Sequence, residues 1–211
     1  MAYPTIDAPY GLVPVGTIGG RNYAGATRQM KIANNYNTAI GKGDLVERVN
    51  DGTIERDAST TAMPATGTSG VFLGCSYTDP NTGQLTFNNS YPGSISKDDI
   101  FATVADDPFL IFKVACCSSG TTMATVDRSA IGNNVSIISN TLNTTNGRSK
   151  LAITSGSVAT TPTLPFKIID VVEETKTGAD AFVEVLVIYN PPNEDSNVMI
   201  GGHAYLVPTG I

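Results

Sequence analysis

The sequence has little of what catalytic and metal sites are usually built from. Its 211 residues include one histidine, no tryptophan and three cysteines. His203 has no second histidine with which to share a metal ion, and a Ser-His-Asp triad would depend on it alone. The chain contains neither a Gly-x-Ser-x-Gly sequence nor a phosphate-binding glycine-rich loop ending in Lys-Ser/Thr. We therefore expect no catalytic residue, no metal site and no cofactor, and we predict that the protein is not an enzyme.

Charge is also scarce. Charged residues make up 15% of the chain, the net charge is −6, and the 13 basic residues are dispersed. A nucleic-acid-binding face needs clustered Lys and Arg, so direct binding to nucleic acid is not expected. No apolar run approaches the roughly 18 residues of a membrane span, and the first residues lack the features of a signal peptide. These patterns favour a protein that is made in the cytoplasm and has no membrane partner.

The cysteines do not form a disulfide framework. Three is an odd number, and neighbours on a strand point to opposite faces, so Cys116 and Cys117 diverge. We expect free thiols that are buried or half-buried, as suits a reducing compartment.

What the sequence does contain is the pattern of many short strands. Gly, Thr, Ser and Asn are abundant, and apolar and polar residues alternate between turns. The predicted strands are residues 28–33, 44–49, 53–56, 70–77, 84–88, 100–104, 109–115, 134–138, 150–154, 165–172 and 181–189. A short helix is predicted over residues 125–131, with Thr125 as its cap and Gly132 as its stop. The fold class is all-β, with a barrel or sandwich body over residues 28–190 and at most about 15% helix.

The two ends of the chain look different from the body. Pro4, Pro9 and Pro14 exclude a helix in the first part of residues 1–27, and residues 16–20 are too rich in glycine to form a stable element. We interpret residues 1–27 as an extended N-terminal arm. Residues 191–211 are a Pro- and Gly-bearing C-terminal strap. Both ends carry more apolar side chains than a freely solvated tail needs, so we expect each to dock on the body or on a neighbour. The candidate contact residues are Tyr3, Ile6, Tyr10, Leu12, Val13, Val15, Tyr205, Leu206 and Ile211.

Adjacent carboxylates occur at Asp98-Asp99, Asp106-Asp107, Glu173-Glu174 and Glu194-Asp195. Convergent carboxylates could bind a cation or catalyse hydrolysis, so a carboxylate-based hydrolase is one alternative. Asp106 and Asp107 stand between two predicted strands, however, where Asp commonly stabilises a turn through its own backbone. We interpret this pair as a turn.

Four parts of the chain, spread over most of its length, resemble a family of virion proteins from marine and other tailed bacteriophages. They are residues 10–15 (Tyr-Gly-Leu-Val-Pro-Val) with Gly25-Ala26, residues 36–46 (Tyr-Asn-Thr-Ala-Ile-Gly-Lys-Gly-Asp-Leu-Val), residues 91–93 leading to 104–108 (Tyr-Pro-Gly, then Val-Ala-Asp-Asp-Pro), and residues 185–190 (Val-Leu-Val-Ile-Tyr-Asn) with the terminal residues 209–211.

The resemblance implies a capsid decoration or cement subunit. Such a protein sits on the outer surface of the shell, binds the major capsid protein and bridges neighbouring subunits. It also implies self-association on the capsid, with a trimer as one form, and localisation to the virion after synthesis in the host cytoplasm. Two other virion roles remain open. One is a tail or head-fibre protein, and the other is the major capsid protein itself, although its usual long spine helix is not readable here.

Overall fold

The computed structural model describes residues 8–58 and 68–190. These residues form sixteen strands. The strands are β1 (Val13–Thr17), β2 (Arg28–Lys31), β3 (Leu45–Arg48), β4 (Ile54–Arg56), β5 (Thr68–Thr78), β6 (Leu85–Asn88), β7 (Phe101–Ala105), β8 (Leu110–Ser119), β9 (Thr122–Met123), β10 (Val126–Asp127), β11 (Asn134–Val135), β12 (Ile137–Ile138), β13 (Ala152–Thr154), β14 (Phe166–Val171), β15 (Ala181–Phe182) and β16 (Glu184–Tyr189).

The all-β prediction is confirmed, with 46% strand and 5% helix. The helical residues lie in three 3₁₀ turns, Arg128–Ala130, Ser155–Ser157 and Glu173–Thr175. The helix predicted over residues 125–131 is wrong. Its first part is strand β10, and a single 3₁₀ turn follows, for which no side chain supplies a cap.

The larger sheet nearly closes on itself. Its eight strands follow the order β11-β14-β16-β8-β13-β12, with β1 and β9 also paired to β8. The two ends of this path, β11 and β12, are separated in the chain by Ser136 alone. The sheet therefore curls round into a barrel-like layer, which we call the first barrel. Phe112, Phe166 and Tyr189 pack inside it with ring centroids 5.2 to 6.5 Å apart.

A second sheet closes in a similar way and has its own core. Its order is β2-β7-β5-β3-β4, with β6 added to β5. A parallel bridge between Ile32 and Ile54 joins the ends of β2 and β4, so this sheet is the second barrel. Phe72, Tyr91 and Ile100 are fully buried in its interior. The body predicted for residues 28–190 thus contains two hydrophobic cores.

The turn of residues 41–44 joins the barrels. Gly43 donates its N–H to Phe72 O in the second barrel, and its carbonyl accepts from Leu12 N at the edge of the first. Lys42 forms a parallel bridge with Arg148. Backbone pairing on both sides of one turn couples the two cores mechanically.

The segment interpreted as an arm takes part in the body. β1 pairs antiparallel with β8, with Val13 opposite Lys113 and a bulge between Pro14 and Gly16. Leu12 is only 1% exposed, among the core residues of the first barrel. The boundary predicted at residue 27 therefore does not mark the start of the structured body, because residues 9–17 are built into the first barrel.

Candidate functional site

The most exposed aromatic side chain described stands on one outer face of the second barrel. β5 lies between β6 and β7, and its register places Ser76 opposite both Phe87 and Phe101. Phe87 is 78% exposed, Phe101 39%, and Leu85, two residues before Phe87 on the same strand face, 62%. Solvent-facing aromatic and branched side chains grouped on one face commonly mark a contact surface. We call Leu85, Phe87 and Phe101 the β6 face.

β6 is also an edge strand. Within residues 8–58 and 68–190 it pairs with β5 and with no other strand. Asp79 N donates to Gln84 O, and hydrogen-bonded and non-hydrogen-bonded pairs alternate along an antiparallel ladder. The backbone groups of Thr86 therefore turn toward β5, whereas those of Leu85 and Phe87 turn toward the open edge. The edge can accept a further strand.

A polar rim borders the β6 face. Thr78, Lys97, Asp98, Asp99 and Phe101 line an open depression of about 450 Å³. Asp98 accepts a hydrogen bond from Asn34 at 3.0 Å, and Asp99 accepts one from the Thr78 hydroxyl at 2.5 Å. The Thr78 hydrogen bond lowers the pKa of Asp99. A general acid needs a raised pKa, so the lowered pKa of Asp99 does not suit the acid role in the hydrolase alternative.

A second apolar group lies on the first barrel. Ile18 donates its N–H to Phe109 O at 3.0 Å, and these two side chains are more than half exposed. Val15, on the bulged part of β1, is 37% exposed. We call Val15, Ile18 and Phe109 the β1 patch.

Phe109 is presented by the acidic turn expected from the sequence. Asp107 Oδ1 accepts the Phe109 N–H at 2.9 Å, which confirms the turn interpretation for this pair. Asp106 makes an ion pair with Arg28, whose Nε lies 2.9 Å from Asp106 Oδ2. Asp107 thus stabilises the turn, and Asp106 pairs with β2 of the second barrel.

Tyr10 sits in a buried polar network within its own chain. Its hydroxyl donates to Glu184 Oε1, and Lys113 Nζ lies 3.6 Å from Glu184 Oε2. Burial, with the hydrogen bond to Glu184, raises the pKa of Tyr10 far above its usual range. This network attaches the N-terminal segment to β8 and β16.

The residues predicted to contact a partner therefore separate into three groups. Val15 is exposed, in the β1 patch, whereas Val13 is half-buried. Leu12 lies in the core, and the Tyr10 hydroxyl is bound to Glu184, so neither offers its main contact group to a partner. The other predicted residues, together with His203, lie outside the described part of the chain: Tyr3, Ile6, Tyr205, Leu206 and Ile211.

Sequence reasoning missed the β6 face. The sequence predicted strand β6, but it did not predict which face of the strand is exposed to solvent. One signal was available: no charged residue occurs between Asp79 and Lys97, and Leu85 and Phe87 alternate with polar neighbours inside that run. The alternation defines two faces, but it does not say which one the body covers.

Among the described residues, no group of three His, Cys, Asp or Glu is placed to hold a metal ion. No helix in these ranges is long and apolar enough to cross a membrane. No protein-family model, no curated protein and no solved structure matches the chain.

Proposed function

We propose that the protein is a structural virion component that binds the outer surface of a tailed-phage capsid and cements neighbouring major capsid protein subunits. The observation that carries this proposal is the exposed apolar β1 patch, held on a body of two joined barrels that also presents a second apolar surface, the β6 face. The β6 face belongs to the second barrel and the β1 patch to the first. The resemblance of the sequence to capsid decoration proteins supports the same function.

A cement subunit must hold its contact surfaces at a fixed separation. Two closed sheets suit this need, because the residue 41–44 turn joins them and because Leu45, Val71 and Ala105 of the second sheet pack into the core of the first barrel. Weak contacts at separate places add together when one subunit touches more than one capsid protein. The β1 patch is the surface we assign to the capsid, since Val15 lies there among the predicted contact residues.

The test uses intact phage particles. A nonsense mutation early in the gene would yield particles without the protein, and supplying the gene in trans would restore it. Mutant particles should release their DNA at a lower temperature than complemented ones. Complementation with Ile18→Ser plus Phe109→Ser should restore neither attachment nor heat resistance, whereas Ile131→Ser, at a separate exposed apolar side chain, should restore both.

Equal heat resistance with and without the protein would overturn the cement proposal. If such mutant particles instead fail to attach to cells, the alternative of a tail or head-fibre adhesion protein is favoured.

A further inference from the structure

We propose that β6 pairs antiparallel with β6 of a second copy of this chain, so that two second barrels join edge to edge in a two-fold dimer. This inference rests on the β6 strand alone and does not depend on the capsid proposal. It assigns a partner to the exposed apolar side chains that the β1 patch leaves unexplained.

The strand is self-complementary. The backbone N–H and C=O groups of Leu85 and Phe87 point away from β5, toward the open edge, as the register of the β5–β6 pair requires. A two-fold axis through Thr86 sets Leu85 of each copy opposite Phe87 of the other. Both are then hydrogen-bonded pairs, and the outward-facing side chains Leu85 and Phe87 form one continuous apolar row across the junction. Phe101 of each copy extends that row, because it lies across Ser76 from Phe87.

Charge opposes a second copy less along β6 than elsewhere on the chain. Each chain carries a net charge of −6, so two copies repel at most orientations. Between Asp79 and Lys97 there is no charged residue, and β6 lies in the middle of this run. Proteins that avoid pairing at an edge strand usually place a lysine, a proline or a bulge there. Strand β6 has none of these.

The sheet geometry leaves room for the added strand. Among the described strands, β6 is hydrogen-bonded to β5 on one side only. The exposed fractions of Leu85 and Phe87, 62% and 78%, show that both residues are open to solvent. Pairing at this edge would bring Leu85 of each copy beside Phe87 of the other, so that these exposed side chains contact one another across the junction. It would not disturb the closure of the second barrel, which runs through β2 and β4.

The test uses the purified full-length protein without particles. Sedimentation equilibrium should show a reversible dimer. Phe87→Lys, which places a charge at the open edge, should raise the dimer dissociation constant at least about tenfold. Phe109→Lys is the matched control, since it introduces the same charge at an exposed phenylalanine of the first barrel, and it should leave the constant unchanged.

A cross-link fixes the register. The Thr86 pair on the two-fold axis is non-hydrogen-bonded, with Cα atoms about 4.5 Å apart, which is within disulfide range. Thr86→Cys should therefore form a disulfide-linked dimer on mild oxidation, and Thr82→Cys in the preceding turn should not. The native cysteines are buried and do not compete.

A protein that stays monomeric at high concentration, or equal cross-linking of the two cysteine variants, overturns the proposal. A trimer, or a dimer insensitive to Phe87→Lys, overturns it as well. None of these results bears on whether the protein cements a capsid, which the particle experiment tests separately.

Discussion

Arg56 Nε lies 3.1 Å from Asp44 Oδ2, and this largely buried ion pair lies at the junction of the two barrels. Asp44 is 1% exposed and also accepts hydrogen bonds from the Ser149 hydroxyl and Gly41 N–H. Arg56 in turn donates to Ser139 and to the carbonyl of Asn140. Since Asp44 and Arg56 belong to the second barrel and residues 139–149 lead into β13 of the first, the pair fastens one barrel to the other.

Removing the carboxylate should therefore loosen the junction. Asp44→Ala leaves the Arg56 guanidinium without its buried counter-charge, and we expect the free energy of unfolding to fall by about 3–5 kcal/mol. Urea denaturation followed by circular dichroism measures the loss. The control, Glu174→Ala, removes an exposed carboxylate and should change little. A loss below about 1 kcal/mol for Asp44→Ala, within the range of surface ion pairs, would show that the pair does not hold the barrels together.

A substitution at Gly41 tests the same junction without a change of charge, because it adds only a methyl group. A Cβ at Gly41 would lie 2.8 Å from Ser149 N and 3.0 Å from the carbonyl carbon of Arg148, and its φ is not in the left-handed region. Gly41→Ala should cost about 1–3 kcal/mol, because backbone from the 139–149 segment must move.

Gly156→Ala is the control, since nothing lies within 4 Å of a Cβ there and its φ is likewise outside the left-handed region. That variant should be neutral or slightly stabilising. Equal effects of the two variants in thermal unfolding would contradict the close approach seen at Gly41.

Tyr10→Phe separates an internal role for this residue from a capsid-binding role. The substitution removes the hydroxyl that donates to Glu184, and leaving a buried carboxylate oxygen without that donor should cost about 1–3 kcal/mol. Attachment to particles should be unchanged at temperatures where the variant is folded. Weakened attachment with unaltered stability would instead place Tyr10 in the capsid contact.

Alkaline pH should destabilise the protein through its buried thiols and phenols. Burial raises the pKa of Cys75 to about 12, from 9.0 in an exposed thiol, and also raises the pKa of Cys116. Above pH 9 the unfolded chain loses these protons while the folded chain keeps them. Stability is therefore fully present below pH 9 and is lost as the pH rises toward 12, by up to about 1.4 kcal/mol per pH unit for each group.

Urea midpoints between pH 8 and pH 11 measure this slope. Cys75→Ala should show a shallower decline than the native protein, because one linked proton is gone. Parallel declines would show that the Cys75 thiol ionises equally in both states.

The three thiols should also be unreactive toward thiol reagents in the folded protein. Cys75, Cys116 and Cys117 are all free and buried, as expected from their number and spacing. A water-soluble disulfide reagent should label none of them in the native protein and all three in urea. Rapid labelling of one thiol without urea would indicate a local opening of the strand that carries it.

The predicted N-terminal arm, residues 1–27, cannot be removed without loss of buried contacts. Removing residues 1–15 would take Leu12 from the core and most of β1 from its pairing with β8, so the body should unfold. A cut after Asp7 leaves these contacts in place and should give a folded protein by circular dichroism. If the longer truncation remains folded with native stability, β1 is dispensable and the arm interpretation is restored.

The sequence by itself determined the local structure of this protein. The acidic turn before Phe109 was predicted from Asp chemistry that acts over a few residues, and the structure shows Asp107 accepting the backbone N–H of Phe109. Strand periodicity located β5, β8 and β16 for the same reason, since alternation is a property of neighbouring residues.

Only the tertiary structure decided which side chains are inside. Leu12, directly before β1, and Phe87, within β6, are both apolar, yet Leu12 is 1% exposed and Phe87 78%. Closure of two barrels, through Ser136 in one and the Ile32–Ile54 bridge in the other, sets which face of each strand is covered. Because closure depends on pairings between residues far apart in the chain, alternation along one strand cannot reveal it.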